Sequence, residues 1–424
     1  MNLGEDLLPL VAACLTTVSC ALVGCFLVLR RMSMMGDAIS HSLLPGIALA
    51  VILANTLHGW PIFVGAMAVG VLMAWLADAF TSLGKVNEDA ALGVAFTSLF
   101  ALGVALIHGF VSHIDLDPSC VIMGSMETLW FEVSFVKRFG IEWSVPEALG
   151  GHAFVFATTV ALLALFWKEL ALLTFDSALA RSFGLPVRSL HYGFLALVSG
   201  VVVSSFEAVG SILVVAMLVV PAATAQLLVK RLHHLLFVAA ALAALATLLG
   251  HLTAVAIDTA EAGAIAVASG GLFLLALVFA PGSGLLYRGW RAAALALHVR
   301  GQDILADLFR AEETPAVVRR QTGWLDPVAR LALRGRGALA TDGRALTERG
   351  REEARSLVRA HRLWESYLSQ NFDLPPDHLH DPAHRIEHYL DAEMQRRLAQ
   401  ELGQPATDPH GRAIPSLSEP PPRE

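Results

Sequence analysis

The sequence predicts an all-α polytopic membrane protein of eight or nine transmembrane helices, followed by a small, mostly helical cytoplasmic domain with a possible winged helix. Three observations lead there. Of 424 residues, 55% are hydrophobic and only 16% charged, against roughly 25% charged in ordinary soluble domains. The apolar excess is confined to about the first 285 residues, in stretches of about 20, the length a helix needs to cross a bilayer. Beyond them the chain turns Arg-rich, with 15 Arg against 9 Asp and Glu from Arg288 to Arg362 and no Lys after Lys230.

Apolar runs place nine spans at about 7–29, 36–54, 60–80, 91–110, 152–172, 190–207, 210–229, 234–255 and 260–281. The opening MNLGEDLLPL has no basic residue before the apolar run and reads as a retained first span rather than a cleaved signal. The sixth and seventh spans share only Glu207-Ala-Val-Gly210 as a link, so eight crossings result if one of them is re-entrant. Three of the four cysteines, Cys14, Cys20 and Cys25, lie in the first span and Cys120 in a later loop. Such a distribution gives no disulfide framework.

Basic residues orient the spans, because loops rich in Lys and Arg stay in the cytoplasm. Arg30-Arg31, Lys85, Arg181 with Arg188, Lys230-Arg231 and Arg288 with Arg291 fall on one side. Glu5-Asp6, the six-acid loop 111–151 and the link around Asp258 and Glu261 fall on the other. The N-terminus is therefore outside and the C-terminal third cytoplasmic. The divisions expected are a transmembrane domain 1–290, a winged-helix-like region 291–350, a helical region 351–416, and a disordered tail 417–424.

The second span carries MMGDAISHSLLPGIALA. Asp37 and His41 stand four residues apart and so share one helix face. Oxygen and nitrogen donors so placed suit Mn(II), Fe(II) or Zn(II) better than a soft cation, and ionisable groups inside a span are costly and mostly functional. Pro45-Gly46 loosens the helix beside them and frees carbonyls. The bland alternative is an interhelical hydrogen bond that fixes packing. Glu207, at the outer edge, is a candidate gate, although a lone acid there is more often simply solvated. His251 and Asp258 read as packing and loop residues.

RRMSMMGDAISHSLLPGIALA resembles the N-terminal signature of the ABC-3 family of metal-importer permeases. FDSALARSFGLP at 175–186 and FEAVGSILVVAMLVVPAATAQLL at 206–228 are similar to the same family, in the same order. The resemblance implies that Asp37 and His41 handle a manganese, iron or zinc ion as cargo. It implies a separate ATP-binding subunit, a second permease subunit and an extracytoplasmic metal-binding protein. Phe175, Leu179 and Phe183 at i, i+4 and i+8 suit a coupling element pressed on the ATP-binding subunit, with Phe175, Asp176 and Gly184 as its marked positions. No Walker A pattern accompanies them, since Gly84-Lys85 lacks the preceding glycine and the following Ser or Thr. The chain reads as a transporter component and not an enzyme.

Six of the 16 histidines fall between His361 and His410. AHRLWESYL sets His361 and Glu365 at i, i+4, and LHDPAHRIEHYL packs His380, His384, Glu387 and His388 into nine residues. Histidine and carboxylate at such spacing ligate divalent metals well. The stretch from about 301 to 416 is similar to the iron- and manganese-dependent regulators of the diphtheria-toxin-repressor type. That likeness implies one ligand set of His361, Glu365 and His380, and a second of Asp303, His384, Glu387 and His388, with a divalent metal ion as regulatory ligand. His384 stands where the family often has Cys or Glu. The extra acid of manganese-type members falls at Ala306 and is missing.

DILADLFRAEE, then AVVRRQTGWLDPVARLALRGRGAL, then ALATDGRALTERG read as a first helix, a helix-turn-helix and a wing. Arg319, Arg320, Arg330, Arg334, Arg336 and Arg344 would supply phosphate contacts. An Arg-rich flank is equally what the positive-inside rule produces. Two functions follow: a divalent-metal permease with a fused metal-responsive domain, or a membrane-tethered metal-dependent transcriptional regulator.

Overall fold

The structure, a computed structural model, describes residues 3–54, 60–110, 133–138, 141–313, 323–372, 374–375 and 378–416. The chain divides into two compact units, Met1–Tyr287 and Arg288–Glu424.

In the first unit α1 (Leu3–Leu29) is followed by α2 (Ser33–Ser42), α3 (Leu44–Ala54), α4 (Trp60–Gly84) and α5 (Glu88–Phe110). A short antiparallel hairpin, β1 (Val133–Arg138) with β2 (Ile141–Pro146), interrupts the helices. Then come α6 (Glu147–Leu165), α7 (Trp167–Phe175), α8 (Ser177–Ser182), α9 (Val187–Leu228), α10 (Leu232–Ile257) and α11 (Glu261–Phe279). Among the described residues eight helices are long and apolar enough to span a membrane, or nine if the bent pair α6–α7 makes one span. The eight-or-nine expectation stands, but the uncertain crossing is elsewhere. α6 and α7 meet at 73°, whereas Val187–Phe206 and Val209–Leu228 each qualify as spans in full.

The short link at 207–210 works because of Gly210. Its φ of 74° and ψ of 166° suit glycine, which has no Cβ to clash there, so the chain turns between two spans without a loop. Packing among the spans relies on small side chains, as expected where lipid supplies no hydrophobic drive between helices. α1 lies so close to α9 that a Cβ on Gly24 would fall 1.9 Å from the Leu218 carbonyl oxygen. Thr17 Oγ1 and Thr247 Oγ1, 2.8 Å apart, tie α1 to α10. Large apolar side chains such as Leu53, Phe237, Val267 and Phe279 are exposed, the arrangement of a lipid-facing surface.

The second unit is built from α12 (Leu285–Glu313, beginning just before the division), α13 (Asp326–Gly335), α14 (Glu348–Asn371), α15 (His380–Ile386), a 3₁₀ turn Glu387–Tyr389 and α16 (Ala392–Glu401). Thr347 caps α14, its Oγ1 accepting from the Gly350 N–H at 3.1 Å and so satisfying one of the orphan donors of the first turn. Asp391 does the same for α16 through the Met394 N–H. One core joins Ile304, Leu305, Phe309, Leu333, Leu339, Leu357 and Val358. Another sets Leu363 of α14 against Leu398 and Ala399 of α16 and Leu402 just after it. Ala306 is fully buried in the first of these. The stretch expected as a wing holds one antiparallel bridge, between Leu339 and Leu346.

Candidate metal sites in the membrane and in the C-terminal unit

Asp37 and His41 lie in α2 with His41 Nε2 3.4 Å from Asp37 Oδ1, their side chains 41% and 46% exposed. The hydrogen-bond ladder of this one span, Ser33–Ala54, is interrupted locally just after them. Gly46 and Ile47 both donate their N–H to the Leu43 carbonyl, at 3.0 and 3.1 Å, and Pro45 has no N–H to give back to the His41 carbonyl. The His41 carbonyl is thus left without the i+4 N–H of a regular helix, beside an acid and an imidazole. The backbone of Glu207 is helical, and its side chain lies outside the described residues.

The segment 175–186 forms a short, closed helical element. Asp176 N-caps α8, its Oδ1 accepting from Ala178 and Leu179 N–H at 3.0 and 2.8 Å. Gly184, at φ 76°, ends it with the reverse pair of bonds, Gly184 N–H to Arg181 O and Leu185 N–H to Ala180 O. Both ends being fixed, Phe175, Leu179 and Phe183 stand exposed at 67%, 44% and 71%.

The C-terminal unit is much denser. His361 Nε2, Glu365 Oε1 and His380 Nδ1 form a triangle with sides of 3.0, 2.9 and 3.2 Å. Ligands bonded at about 2.1 Å to one ion stand about 3.0–3.4 Å apart by octahedral or tetrahedral geometry, so these atoms are spaced for a shared cation. Asp303, His384, Glu387 and His388 form a second cluster with ligand atoms within 4.8 Å of one another. In it His388 Nε2 is 3.4 Å and His384 Nε2 3.7 Å from Asp303 Oδ1. That oxygen is buried and has no hydrogen-bond partner. Buried polar atoms rarely go unsatisfied without a reason, and a cation between carboxylate and imidazoles supplies one. The residues therefore fit a divalent metal.

His361 belongs to both clusters. Its Nδ1 is 2.6 Å from Glu387 Oε2 while its Nε2 faces Glu365 and His380. Burial pushes the Glu387 carboxyl up, but hydrogen bonds from His361 and His384 and the nearby Arg310 charge outweigh it and bring it to about 2. Burial likewise opposes ionisation of Glu365, yet His361 and His380 hold it well below the usual carboxylate range. Hydrogen bonding to Glu387 raises His384, and for His361 the two carboxylates overcome burial to the same effect. Arg310 Nη2, 3.5 Å from Glu387 Oε2, had no signal in the sequence. The same holds for Asp408 and His410, which form a third group with Glu365; a DPHG turn reads first as a turn.

Among the arginines considered for phosphate contact, Arg319 and Arg320 lie outside the described residues. Arg330 Nη1 donates to the Gly343 carbonyl at 2.7 Å, which directs it at the wing turn. Arg334, Arg336 and Arg344 are exposed.

Residues 7–132 and 146–280 match the ABC 3 transport family. The chain belongs to that family. Residues 347–416 match the iron dependent repressor, metal binding and dimerisation domain. Over 277 residues the chain is 39% identical to the manganese transport system membrane protein MntD of Bacillus subtilis, covering 65% of this chain and 92% of that one. It is 39% identical to the zinc transport system membrane protein TroD of Treponema pallidum, covering 65% and 74%. With the chelated iron transport system membrane protein YfeD of Yersinia pestis it shares 35%, covering 64% and 84%. The solved structure of PsaBC from Streptococcus pneumoniae in complex with Fab is similar at a TM-score of 0.55 and 31% identity, covering 65% of this chain and 92% of that one. This ABC 3 permease is a multi-pass membrane protein and a non-enzymatic transporter component. The family match takes in Asp37, His41 and Glu207, and the repressor-domain match takes in every metal-cluster residue named above except Asp303.

Proposed function

We propose that the chain is the permease subunit of an ATP-driven importer of a divalent transition-metal ion, manganese, iron or zinc, and that its fused cytoplasmic domain binds the same class of ion as a regulatory ligand. The carrying observation is that one chain holds two His–carboxylate arrangements of different build. Asp37 and His41 offer oxygen and nitrogen donors beside a proline-interrupted turn within a span. Freed backbone carbonyls are tolerated in a span where they line a cavity, and the half-exposed pair is open to a passing cation. Glu207 stands at the outer end as a candidate gate.

The relatives named for manganese, zinc and iron transport support the metal class. They do not separate its members, because nitrogen and oxygen donors bind all three. ATP hydrolysis falls to a separate subunit, and the exposed Phe175, Leu179 and Phe183 on the capped element 175–186 are the surface for it. The loop charges put that element and the C-terminal unit in the cytoplasm. A second permease subunit and an extracytoplasmic metal-binding protein complete the assembly.

In the C-terminal unit a bound cation would be held by Asp303, His384, Glu387 and His388, and another by His361, Glu365 and His380. Bound there, it neutralises buried carboxylates and draws α12, α14 and α15 together. Regulation of transport within the same chain follows from that placement.

The test is uptake of radioactive manganese, iron and zinc by vesicles containing the assembled transporter. Accumulation of one of them, lost on Asp37→Ala or His41→Ala with assembly intact, is the expected result. Unchanged uptake in both variants would overturn the pathway assignment.

A further inference from the structure

The metal clusters leave one polar network of the membrane unit without a role. It lies where α1, α4 and α9 meet, at the end that carries the basic loops. Arg30 Nη2 donates to His191 Nδ1 at 2.5 Å. A guanidinium only donates, so His191 Nδ1 is the acceptor and the neutral ring holds its proton on Nε2. That nitrogen stands 3.4 Å from Asp78 Oδ2, which also accepts from Tyr192 Oη at 3.0 Å. The contacts thus run from Arg30 through His191 to Asp78, and Tyr192 closes them from the next residue of α9.

The face of the guanidinium is engaged as well, with Arg30 Cζ 5.5 Å from the centre of the Phe194 ring. Phe194 meets Phe26 of α1 edge-to-face at 5.8 Å, and Phe26 meets Trp167 in the same way at 6.4 Å. Trp167 opens α7, which ends at Phe175, and His191 and Tyr192 lie in the opening turns of α9, which starts at Val187. The capped element 175–186 is therefore flanked on both sides by helices that reach the Arg30 network.

On its other side Arg30 leads directly into the helix of Asp37 and His41. α1 closes with Arg31 N–H on the Val28 carbonyl at 3.1 Å and Met32 N–H on the Leu27 carbonyl at 2.8 Å, the paired bonds of a helix stop usually built on glycine. Arg31 fills the glycine position at φ 61°. α2 begins at Ser33, so the link has no slack and a shift of Arg30 moves the start of α2. The network is not a fully satisfied pin. Arg30 Nη1 is buried without a hydrogen-bond partner, a state that buried donors rarely keep without a reason, and Asp78 enters the network through Oδ2 alone. A donor and an acceptor thus remain to be joined when α9 moves against α4.

We infer that Arg30, Asp78, His191 and Tyr192 are positioning residues that deliver movement of the element 175–186 to α2, and with it to Asp37 and His41. They touch no cation themselves. Coupling of this kind travels through packed side chains and hydrogen bonds that have two discrete arrangements. Here α7 and α9 carry the displacement to Arg30, and the tight turn at Arg31 hands it to α2. This inference rests on the proposal that the element is the contact for a separate ATP-binding subunit.

The assembled transporter, with its ATP-binding subunit, is reconstituted in vesicles with Mn(II), Fe(II) or Zn(II), whichever the parent accumulates. Ions taken up per ATP hydrolysed are measured for the parent, His191→Ala and Tyr192→Phe. Uptake is expected to fall about tenfold in His191→Ala and about threefold in Tyr192→Phe, with ATP hydrolysis and recovery of the complex unchanged. Tyr192→Phe keeps the ring and loses only the hydroxyl, so it decides the question where His191→Ala fails to assemble. A network that only stabilises the fold would lower uptake and hydrolysis by the same factor. That result overturns the inference, as does unchanged uptake in both variants. Hydrogen exchange over residues 33–42 gives a readout that needs no ion: ATP is expected to change it in the parent and in neither variant. An equal ATP response in all three overturns the inference and leaves the importer reading standing. No uptake and no ATP response in the parent removes the importer reading, and this inference with it.

Discussion

The membrane unit and the C-terminal unit use the same donor types in opposite ways. In α2 an acid and an imidazole stand 3.4 Å apart, nearly half exposed, and among the described residues neither makes a further ion pair. In the C-terminal unit seven donors interlock, and the Glu387 side chain is wholly buried and the His361 side chain 4% exposed. An ion in transit must enter and leave, so its ligands have to be few and open. An ion that reports its own concentration has to be retained long enough to fix a structure, and that takes many buried ligands. Under the proposed assignment, the two units are expected to differ in binding strength through burial and ligand number rather than ligand identity.

The sharpest way to break this contrast is to remove each site alone. The double variant Asp37→Ala/His41→Ala is expected to lower vesicle metal uptake by at least about 100-fold, the upper end of what even a neighbour of a metal ligand contributes. Co(II) retained by the C-terminal unit should stay unchanged. Conversely, His384→Ala/His388→Ala should weaken equilibrium binding of Mn(II) to the purified chain by about 10–100-fold and leave metal movement through the membrane unit in place. If either double variant disabled both functions, the division of labour would fail.

Glu387→Gln tests the metal-free C-terminal unit by itself. It removes one charge from a buried pair, which costs about 3–5 kcal/mol. Hydrogen exchange over α14 should accelerate in the metal-free protein, with the membrane helices unaffected. Unaltered exchange at α14 would show that Glu387 does not hold His361.

The pH dependence carries a sign. Glu387 and Glu365 are depressed, so their contribution is present above about pH 4.3, the unperturbed glutamate value, and is lost as pH falls toward the folded value of about 2 for Glu387. His361 and His384 are raised, so theirs is complete below about pH 6.5 and disappears as pH climbs through their folded values. The metal-free C-terminal unit is therefore most stable between about pH 4.3 and 6.5. Metal affinity runs the other way, because ligating imidazoles must shed their protons. Exchange protection of α14 measured from pH 5.5 to 8.5 should fall without Mn(II) and hold with it. Rising protection in the metal-free protein would contradict the assignment. Smallest of all, Thr347→Ala removes the α14 cap and should destabilise the unit by about 1 kcal/mol, read by the same exchange measurement.

Much of the fold was legible in the sequence. Hydropathy runs found each candidate span among the described residues because a bilayer demands a fixed length of apolar helix, and the very short link Glu207–Gly210 was visible, although the re-entrant span it suggested there is two full spans instead. The bend between α6 and α7 was not, since WKELALLTF remains apolar enough to continue the span and only packing decides its direction. The hairpin β1–β2 escaped notice inside a loop read by its charge alone. Histidine–carboxylate spacing marked the residues of α14 and α15, where ligands sit near one another in sequence. Arg310 and Asp408 approach from distant segments, so no local period reveals them.

His361 has one consequence for the energetics of loading. A cation taken on Nε2 leaves Nδ1 as the only place for the ring's proton, and that N–H then points at Glu387 Oε2, 2.6 Å away. In the proposed reading Glu387 is itself a donor to the neighbouring cation, so filling either cluster would change the charge the other one feels. Whatever factor the first ion imposes on the second, the second would impose on the first, because free energy depends only on the final occupancy. The imidazole would thereby make the two clusters a single titrating unit, whose response to metal concentration differs from that of two independent ligands.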